Sequence, residues 1–306
     1  MTSGLAGKVR ADPPAPTRRS RRSRRSAQRT RLWGLLLTLP TAWMVLFFVS
    51  SMLIVVLLSF GSTTRDGSPT FGMHTDNYAQ LWNQVYLQLF LRSLTYAVAT
   101  VVLSALVAYP VAYTIALHGG RYKNALIAAI VVPFFASYLI RMYAWKALLS
   151  DDGLVNSGIR HLGLGNGITF LNTSWAVVGG LLYGFVVYMI LPVYASLERM
   201  DVSLIEAGKD LYHSPWRTFV SVTLPATRAG LYGGVLLVFL PALGDFVSAQ
   251  LLGGPNTYML GNLVQQQFLE GQNWPLGAAM TVAMMAALTV LMVVYLRASS
   301  TRARET

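Results

Sequence analysis

Asp245 is the acidic residue best placed to do work in this chain, because it stands inside the apolar run from Val238 to Val247. A carboxylate facing hydrocarbon at the bilayer midplane costs about 2.5–3.5 kcal/mol on insertion scales, so this one must face protein or water. Arg141 offers a charge of opposite sign in the run from Ala125 to Leu149. Two roles stand open for Asp245: an internal ion pair with Arg141 that holds helices together, or a counter-charge for a cationic solute. Pro241 and Gly244 favour a local break there that opens backbone groups toward a cavity. Catalytic chemistry lacks its parts. His74, His118, His161 and His213 are scattered over loops without metal-ligand spacing, and cysteine is absent. Metal: none is therefore the expectation, as is a chain without catalytic residues.

The elements that must position these residues are membrane helices. Hydrophobic residues make up 54% of the 306, the mean hydropathy is +0.49 and only 12% are charged, which is too apolar for an ordinary soluble domain. Six stretches reach the roughly 20 residues that cross a bilayer: about Leu32 to Phe60, Phe90 to Leu117, Ala125 to Leu149, Ser174 to Leu197, Ala229 to Leu252 and Leu276 to Leu296. Barrel-type alternation is missing, so the expected class is an all-α integral membrane protein. Asp245 is 16 residues past Ala229, and Arg141 is 16 past Ala125. At 1.5 Å per residue both sit roughly 24 Å into straight helices, at similar depth. Lys146, nearer the surface, is expected to snorkel.

The net charge of +12 is distributed by side. Nineteen of the 24 Lys and Arg fall in the first 31 residues, at Arg121 and Lys123, between Arg199 and Arg228, and from Arg297 onward. The positive-inside rule then makes both termini and the loop 198–228 cytoplasmic. Residues 1–31, with Arg18, Arg19, Arg21, Arg22, Arg24 and Arg25, read as a disordered topology determinant that also touches anionic lipid, rather than as a nucleic-acid arm. The apolar run after it is too long for a cleaved leader, so the first span is retained. The expected organisation is a tail over 1–31, a six-helix domain over 32–297 and a short cytoplasmic tail over 298–306.

One polar stretch interrupts the apolar pattern, Ser203 to Pro225, and reads as helix, turn, helix. Ser203 and Glu206 have capping-box spacing, Ser214-Pro215 supplies an N-cap and first-turn proline, and His213 falls in the turn. This stretch resembles the coupling loop of ABC-transporter permeases, whose signature runs Glu-Ala-Ala, three residues, Gly, nine residues, Ile, one residue, Leu-Pro. Glu206, Ala207, Leu224 and Pro225 match and Val222 stands at the Ile position, while Gly208 replaces the second Ala and Tyr212 replaces the Gly. Because Tyr takes positive φ at a cost, Tyr212 makes the turn after the first helix an open question.

The resemblance extends from about Trp33 to Arg297. Pro133-Phe134-Phe135, Leu139 to Trp145, Gly153 to Asn156, Met189 to Tyr194, Pro241 to Phe246, Gly261-Asn262 and Gln267 to Pro275 are similar, in this order, to the spermidine/putrescine permeases, most of all the first of the two polyamine permease subunits. It implies the type I ABC importer permease fold with a cytoplasmic coupling helix, in a bacterial cell membrane. It also implies partners: a second permease, two ATPases that bind ATP and Mg, and an extracytoplasmic binding protein. Relatives with similar segments carry iron, thiamine, phosphonate or opines. The chain itself has no G-x-x-x-x-G-K-[ST] motif, since Gly208-Lys209 is followed by Asp210 and lacks the upstream Gly.

On this resemblance the ATPase-coupling residues are Ser203, Glu206, Ala207, Gly208, Asp210, Tyr212, Leu224 and Pro225. Glu206 serves as a capping residue, as a contact with a groove on the ATPase, or as both. The solute pathway is assigned to Asp245, Arg141, Tyr143, Trp145, Tyr188 and Phe246, the aromatics acting through cation–π contact or only as packing. Arg141 and Lys146 argue against a pathway selected by negative charge alone, which places polyamine preference mainly in the binding protein. Pro110 and Pro192 are expected to kink their spans. Ala105, Ala108, Ala112, Gly179, Gly180 and Gly184 would let helices approach closely. A secondary transporter using Asp245 or Glu270 is the rival, and inverted hydropathy repeats that would support it are not evident.

Overall fold

The computed structural model describes residues 18–64, 67–163, 168–212 and 214–304. The chain divides into two compact units, residues 1–54 and 55–306. The first unit holds most of α1 (Arg18–Ser59), which carries Pro40 and presents exposed apolar side chains such as Leu39, Trp43 and Phe48. Its backbone is helical from Arg18, inside the stretch expected to be a disordered tail. Arginine is a good helix former, and a helix already nucleated by the span propagates cheaply into it. Residues 1–17 and His213 lie outside the described residues.

In the second unit a short ribbon, β1 (Ser62–Thr63) with β2 (Pro69–Thr70), leads to α2 (Asp76–Gln80). Buried Asn77 of α2 donates to the carbonyls of Ser59 and Gly61 at 3.0 and 2.9 Å, answering backbone acceptors that the end of α1 leaves open. Then come α3 (Gln84–Tyr113), α4 (Lys123–Val131), α5 (Tyr138–Leu149), α6 (Leu154–His161) and α7 (Ser174–Glu198). They are followed by α8 (Val202–Tyr212), α9 (Pro215–Thr218), α10 (Leu224–Gly244), α11 (Val247–Leu252), α12 (Leu260–Leu269) and α13 (Trp274–Arg304).

Among the described residues, five helical segments are long and apolar enough to cross a membrane: Leu37–Ser59, Gln84–His118, Ser174–Glu198, Pro215–Gly244 and Trp274–Arg297. The sixth expected span, Ala125 to Leu149, is a bent pair instead. Gly120–Phe135 and Tyr138–His161 meet at 92°. Pro133 sits in the 3₁₀ turn Val132–Phe135 before the bend, and Ala136 is extended, at φ −68° and ψ 144°. A proline that cannot donate beside a non-helical residue ends the first piece. The straight-helix depth assigned to Arg141 is therefore wrong: it lies in the first turn of the second piece.

The core is built by α3, α7 and α10, which pack on one another. Ala97, Ala108 and Ala112 of α3, Leu181, Met189 and Val193 of α7, and Val238, Ala242 and Leu243 of α10 are fully buried. Gly230 and Gly234 bring α10 against Pro192 and Met189 of α7, where added Cβ atoms would collide with that helix. Gly184 plays the same part against the Tyr138 ring, whereas Gly179 faces open space. α3 and α7 remain helical through Pro110 and Pro192.

Candidate functional site

The polar stretch forms an amphipathic helix followed by a long one. α8 buries Ile205 and Gly208 and exposes Ser203, Glu206, Ala207, Lys209 and Asp210. Its buried face lies on α9 and on the π-helical turn Phe219–Thr223: a Cβ at Gly208 would sit 2.9 Å from Thr218 Cγ2 and 3.0 Å from Val222 Cγ2. The replacement of Ala by Gly thus has a steric reason.

The expected Ser203/Glu206 capping box is not formed. α8 starts two residues earlier, at Val202, and Asp201 caps it by accepting the Ser203 backbone N–H at 3.0 Å. That hydrogen bond holds the Asp201 carboxyl below its usual range. The shift in register follows from chemistry: aspartate accepts from the second helical N–H and adds negative charge at the positive helix end. Glu206 is left free of any cap. Tyr212 remains helical, so its backbone escapes the strained conformation that a glycine position would impose.

Ser214 occupies the N-cap of α9 without a side-chain cap hydrogen bond, and Pro215 follows at the first helical position. From there one helical segment runs from Pro215 to Gly244. Leu224 and Pro225 lie inside it rather than at the start of a span, and the π-helical turn just before Pro225 absorbs the mismatch of a proline within a helix. This segment is tied to α3 by Tyr109, whose hydroxyl lies 2.6 Å from Thr227 Oγ1 and whose ring meets Phe219 edge-on at 5.1 Å.

At the far end of the same segment α10 stops at Gly244, and the chain turns through Asp245 (φ −68°, ψ 139°) before α11. The break expected from Pro241 and Gly244 is present. The single span over Ala229 to Leu252 is not, so Asp245 closes a helix instead of interrupting one. Its carboxylate is 7% exposed. Oδ1 accepts from the Tyr138 hydroxyl at 3.0 Å and Oδ2 from the Ser248 N–H at 2.8 Å, while Tyr138 and Ser248 hydroxyls lie 2.7 Å apart. Asn262 fixes the next residue by donating to the Phe246 carbonyl at 2.8 Å.

The expected Arg141–Asp245 ion pair is absent. Arg141 lies instead against three rings, 4.3 Å from Phe134, 5.6 Å from Tyr138 and 5.8 Å from Tyr183, and its buried Nε and Nη1 have no hydrogen-bond partner. Tyr188 joins this cluster through Phe134 and Phe185, and Trp145 through Tyr183. Phe246 is 37% exposed beside Asp245. Tyr143 is 56% exposed, and Lys146 is exposed. Sequence reasoning missed Tyr138, Ser248 and Asn262. Ser248 was detectable, because an Asp three residues ahead of a short apolar helix is a capping pattern. Tyr138 and Asn262 reach the site only through the tertiary fold.

An exposed amphipathic loop helix joined by one helical segment to a buried polar break among membrane helices defines a multi-pass transport subunit. A family model described as the inner membrane component of binding-protein-dependent transport systems matches residues 85–305, and the chain belongs to that family. It is 36% identical over 261 residues to the spermidine/putrescine transport system permease protein PotB of Haemophilus influenzae, covering 84% of this chain and 91% of that one. It is 35% identical to the PotB protein of Escherichia coli K12, over 84% and 94% of the two chains. It is 34% identical to the inner membrane ABC transporter permease protein YdcU of the same organism, over 81% and 83%. Its fold is that of a chain in the crystal structure of a bacterial ABC transporter involved in alginate import, with a TM-score of 0.68, 19% identity, and coverage of 93% and 99%.

Proposed function

We propose that this chain is the first permease subunit of an ATP-driven importer of spermidine and putrescine. It carries no catalytic residue. A second permease completes the pathway, two ATPases bind ATP and Mg and dock on α8, and an extracytoplasmic binding protein delivers the solute. Both termini and the loop 198–228 lie on the cytoplasmic side, as the distribution of Lys and Arg requires.

The observation that carries this reading is the construction of α8. Ile205 and Gly208 anchor it to α9 and the π-helical turn, and Glu206, Ala207 and Asp210 remain exposed. A push on its exposed face reaches the segment Pro215–Gly244, and through that segment the break at Asp245. On this reading Ser203, Glu206, Ala207 and Asp210 meet the ATPase, while Asp245, Arg141, Trp145, Tyr188 and Phe246 belong to the pathway side.

The test is to purify the four-component complex in lipid and follow ATP hydrolysis with the binding protein loaded in turn with spermidine, putrescine, iron, thiamine, a phosphonate and an opine. Stimulation by the two polyamines alone is the expected result. Stimulation by another member of that series, without the polyamines, would move the chain to a different solute.

A further inference from the structure

Glu270 follows the last residue of α12, and its carboxylate is largely unused. It is exposed, and among the described residues no Lys or Arg stands within ion-pairing distance of it. The hydrogen bond it accepts, from Gln266 Nε2 at 3.3 Å, occupies Oε2 and leaves Oε1 open. Beside it lies a small recess of about 50 Å³ lined by Gln250 of α11 and by Tyr258, Asn262, Gln265 and Gln266. The Asn262 amide is already spent, its oxygen accepting from the Met259 N–H and its nitrogen donating to the Phe246 carbonyl. Acceptors remain at Glu270 Oε1 and at the amide oxygens of Gln250 and Gln265. The loop that carries the Tyr258 ring is held in place from α3, where Arg92 donates to the Tyr258 carbonyl at 3.2 Å.

A second recess of about 360 Å³ adjoins the first, and Gln265 and Leu269 line both. Its other walls are mainly apolar and include Phe246, Val264 and Phe268. It also reaches the break after α10. Gly244 and Gly261 line it, and a Cβ on Gly261 would stand 3.0 Å from the Asp245 carbonyl oxygen.

Three acceptors, one of them charged, beside an aromatic ring suit a primary ammonium, which has three N–H donors and no acceptor. The apolar recess next to them suits the methylene chain that such an ammonium carries. Other charged solutes fit poorly. A carboxylate or phosphonate would meet Glu270 with like charge, and a bare hard cation that takes about six oxygen ligands would find a single carboxylate here.

We propose that the two adjoining recesses form a reception site for an alkylammonium end of the solute, with Glu270 as its counter-charge and Phe246, Val264 and Phe268 around its methylenes. The inference deepens the polyamine reading above and rests on it. From Asn262 to Glu270 is eight residues of helix, about 12 Å at 1.5 Å per residue. A solute held there stands between Glu270 and the turn at Asp245.

The experiment is uptake of radiolabelled putrescine and spermidine into proteoliposomes holding the assembled transporter, with capture of the loaded binding protein by the same vesicles measured alongside. Glu270→Gln removes the charge and keeps the shape. Uptake of both amines should fall at least tenfold, with capture of the binding protein unchanged. Val264→Phe, which fills the apolar recess, should lower uptake at least threefold. Normal uptake in either variant overturns the proposal. So does a loss of uptake in Glu270→Gln matched by lost capture, which would make Glu270 a docking contact for the binding protein. If the wild-type complex takes up neither amine, the polyamine reading itself has failed, and this proposal with it; wild-type uptake that Glu270→Gln leaves intact overturns this proposal alone.

Discussion

The Tyr138 hydroxyl lies 3.0 Å from Asp245 Oδ1, so the carboxylate at the end of α10 is answered by a phenol from the far side of the bent span rather than by a cation. Ser248 supplies the second donor at 2.8 Å. Asp245 is therefore a polar clasp joining α5, α10 and α11, and Tyr138 carries the contact to Arg141.

Asp245→Asn keeps one acceptor oxygen where two are used, which leaves one donor unanswered and costs about 1–3 kcal/mol. Thermal stability and folded yield of the complex should fall accordingly. Because the two charges are not paired here, Arg141→Met should fail to rescue Asp245→Asn. Full rescue in the double variant would restore the ion-pair reading. On the pathway reading, uptake by the surviving complex drops further for longer, more highly charged polyamines.

Glu206 and Asp201 have separate jobs, and two substitutions distinguish them. Glu206→Ala should leave thermal stability unchanged while ATP-driven uptake falls about tenfold or more, the effect of one charge-assisted contact of about 1.5–3 kcal/mol. Asp201→Ala should loosen α8 itself. With the folded-state pKa of Asp201 depressed, its contribution is full above the unfolded carboxylate pKa and is lost as pH falls through the folded value. Asp201→Asn keeps the acceptor and should abolish that acid sensitivity, read as ATPase co-purification across a pH series. A stability loss in Glu206→Ala equal to that in Asp201→Ala would contradict this division.

Gly208 is close-packed on Thr218 and Val222. Gly208→Ala sets about 1–3 kcal/mol of overpacking against about 1 kcal/mol of helix propensity, so it should destabilise by about 0–2 kcal/mol. Gly208→Leu cannot be accommodated and should lift α8 off α9, lowering coupled ATP hydrolysis while the membrane helices stay folded. Normal coupling in Gly208→Leu would show that α8 does not transmit through this contact.

The span pattern was legible because runs of about 20 apolar residues have one solution in a bilayer. Where the fold departs from it, the cause is local backbone chemistry. Pro133 and Ala136 divide one run into a bent pair, and a proline tolerated through a π-helical turn lets a helix begin at Pro215 instead of near Ala229. Asp245 was recognisable from the cost of its burial, but its partners were not, because Tyr138 lies 107 residues away in sequence. Charge sign alone suggested Arg141, and geometry selected a hydroxyl. The capping error has a similar origin, since Ser203 and Asp201 both fit an N-cap and only the register of α8 decides between them.

The basic N-terminal segment should set orientation and leave solute choice untouched. Deleting the residues before Arg29 is expected to lower membrane insertion, measured as yield in the membrane fraction, with the same solutes stimulating ATP hydrolysis. A changed solute profile would contradict that assignment.

The central claim is that α8 is the surface on which the ATPase acts, and the absence of cysteine from the chain allows a direct measurement. Glu206→Cys introduces a single thiol on the exposed face of α8, and Trp82→Cys, 85% exposed ahead of α3, places one on the side expected to be opposite. With a short thiol-to-amine crosslinker in intact membranes, the account predicts a crosslink to the ATPase from Glu206→Cys that changes in yield on ATP addition, and none from Trp82→Cys. No ATPase crosslink from Glu206→Cys in a complex that still transports would contradict it.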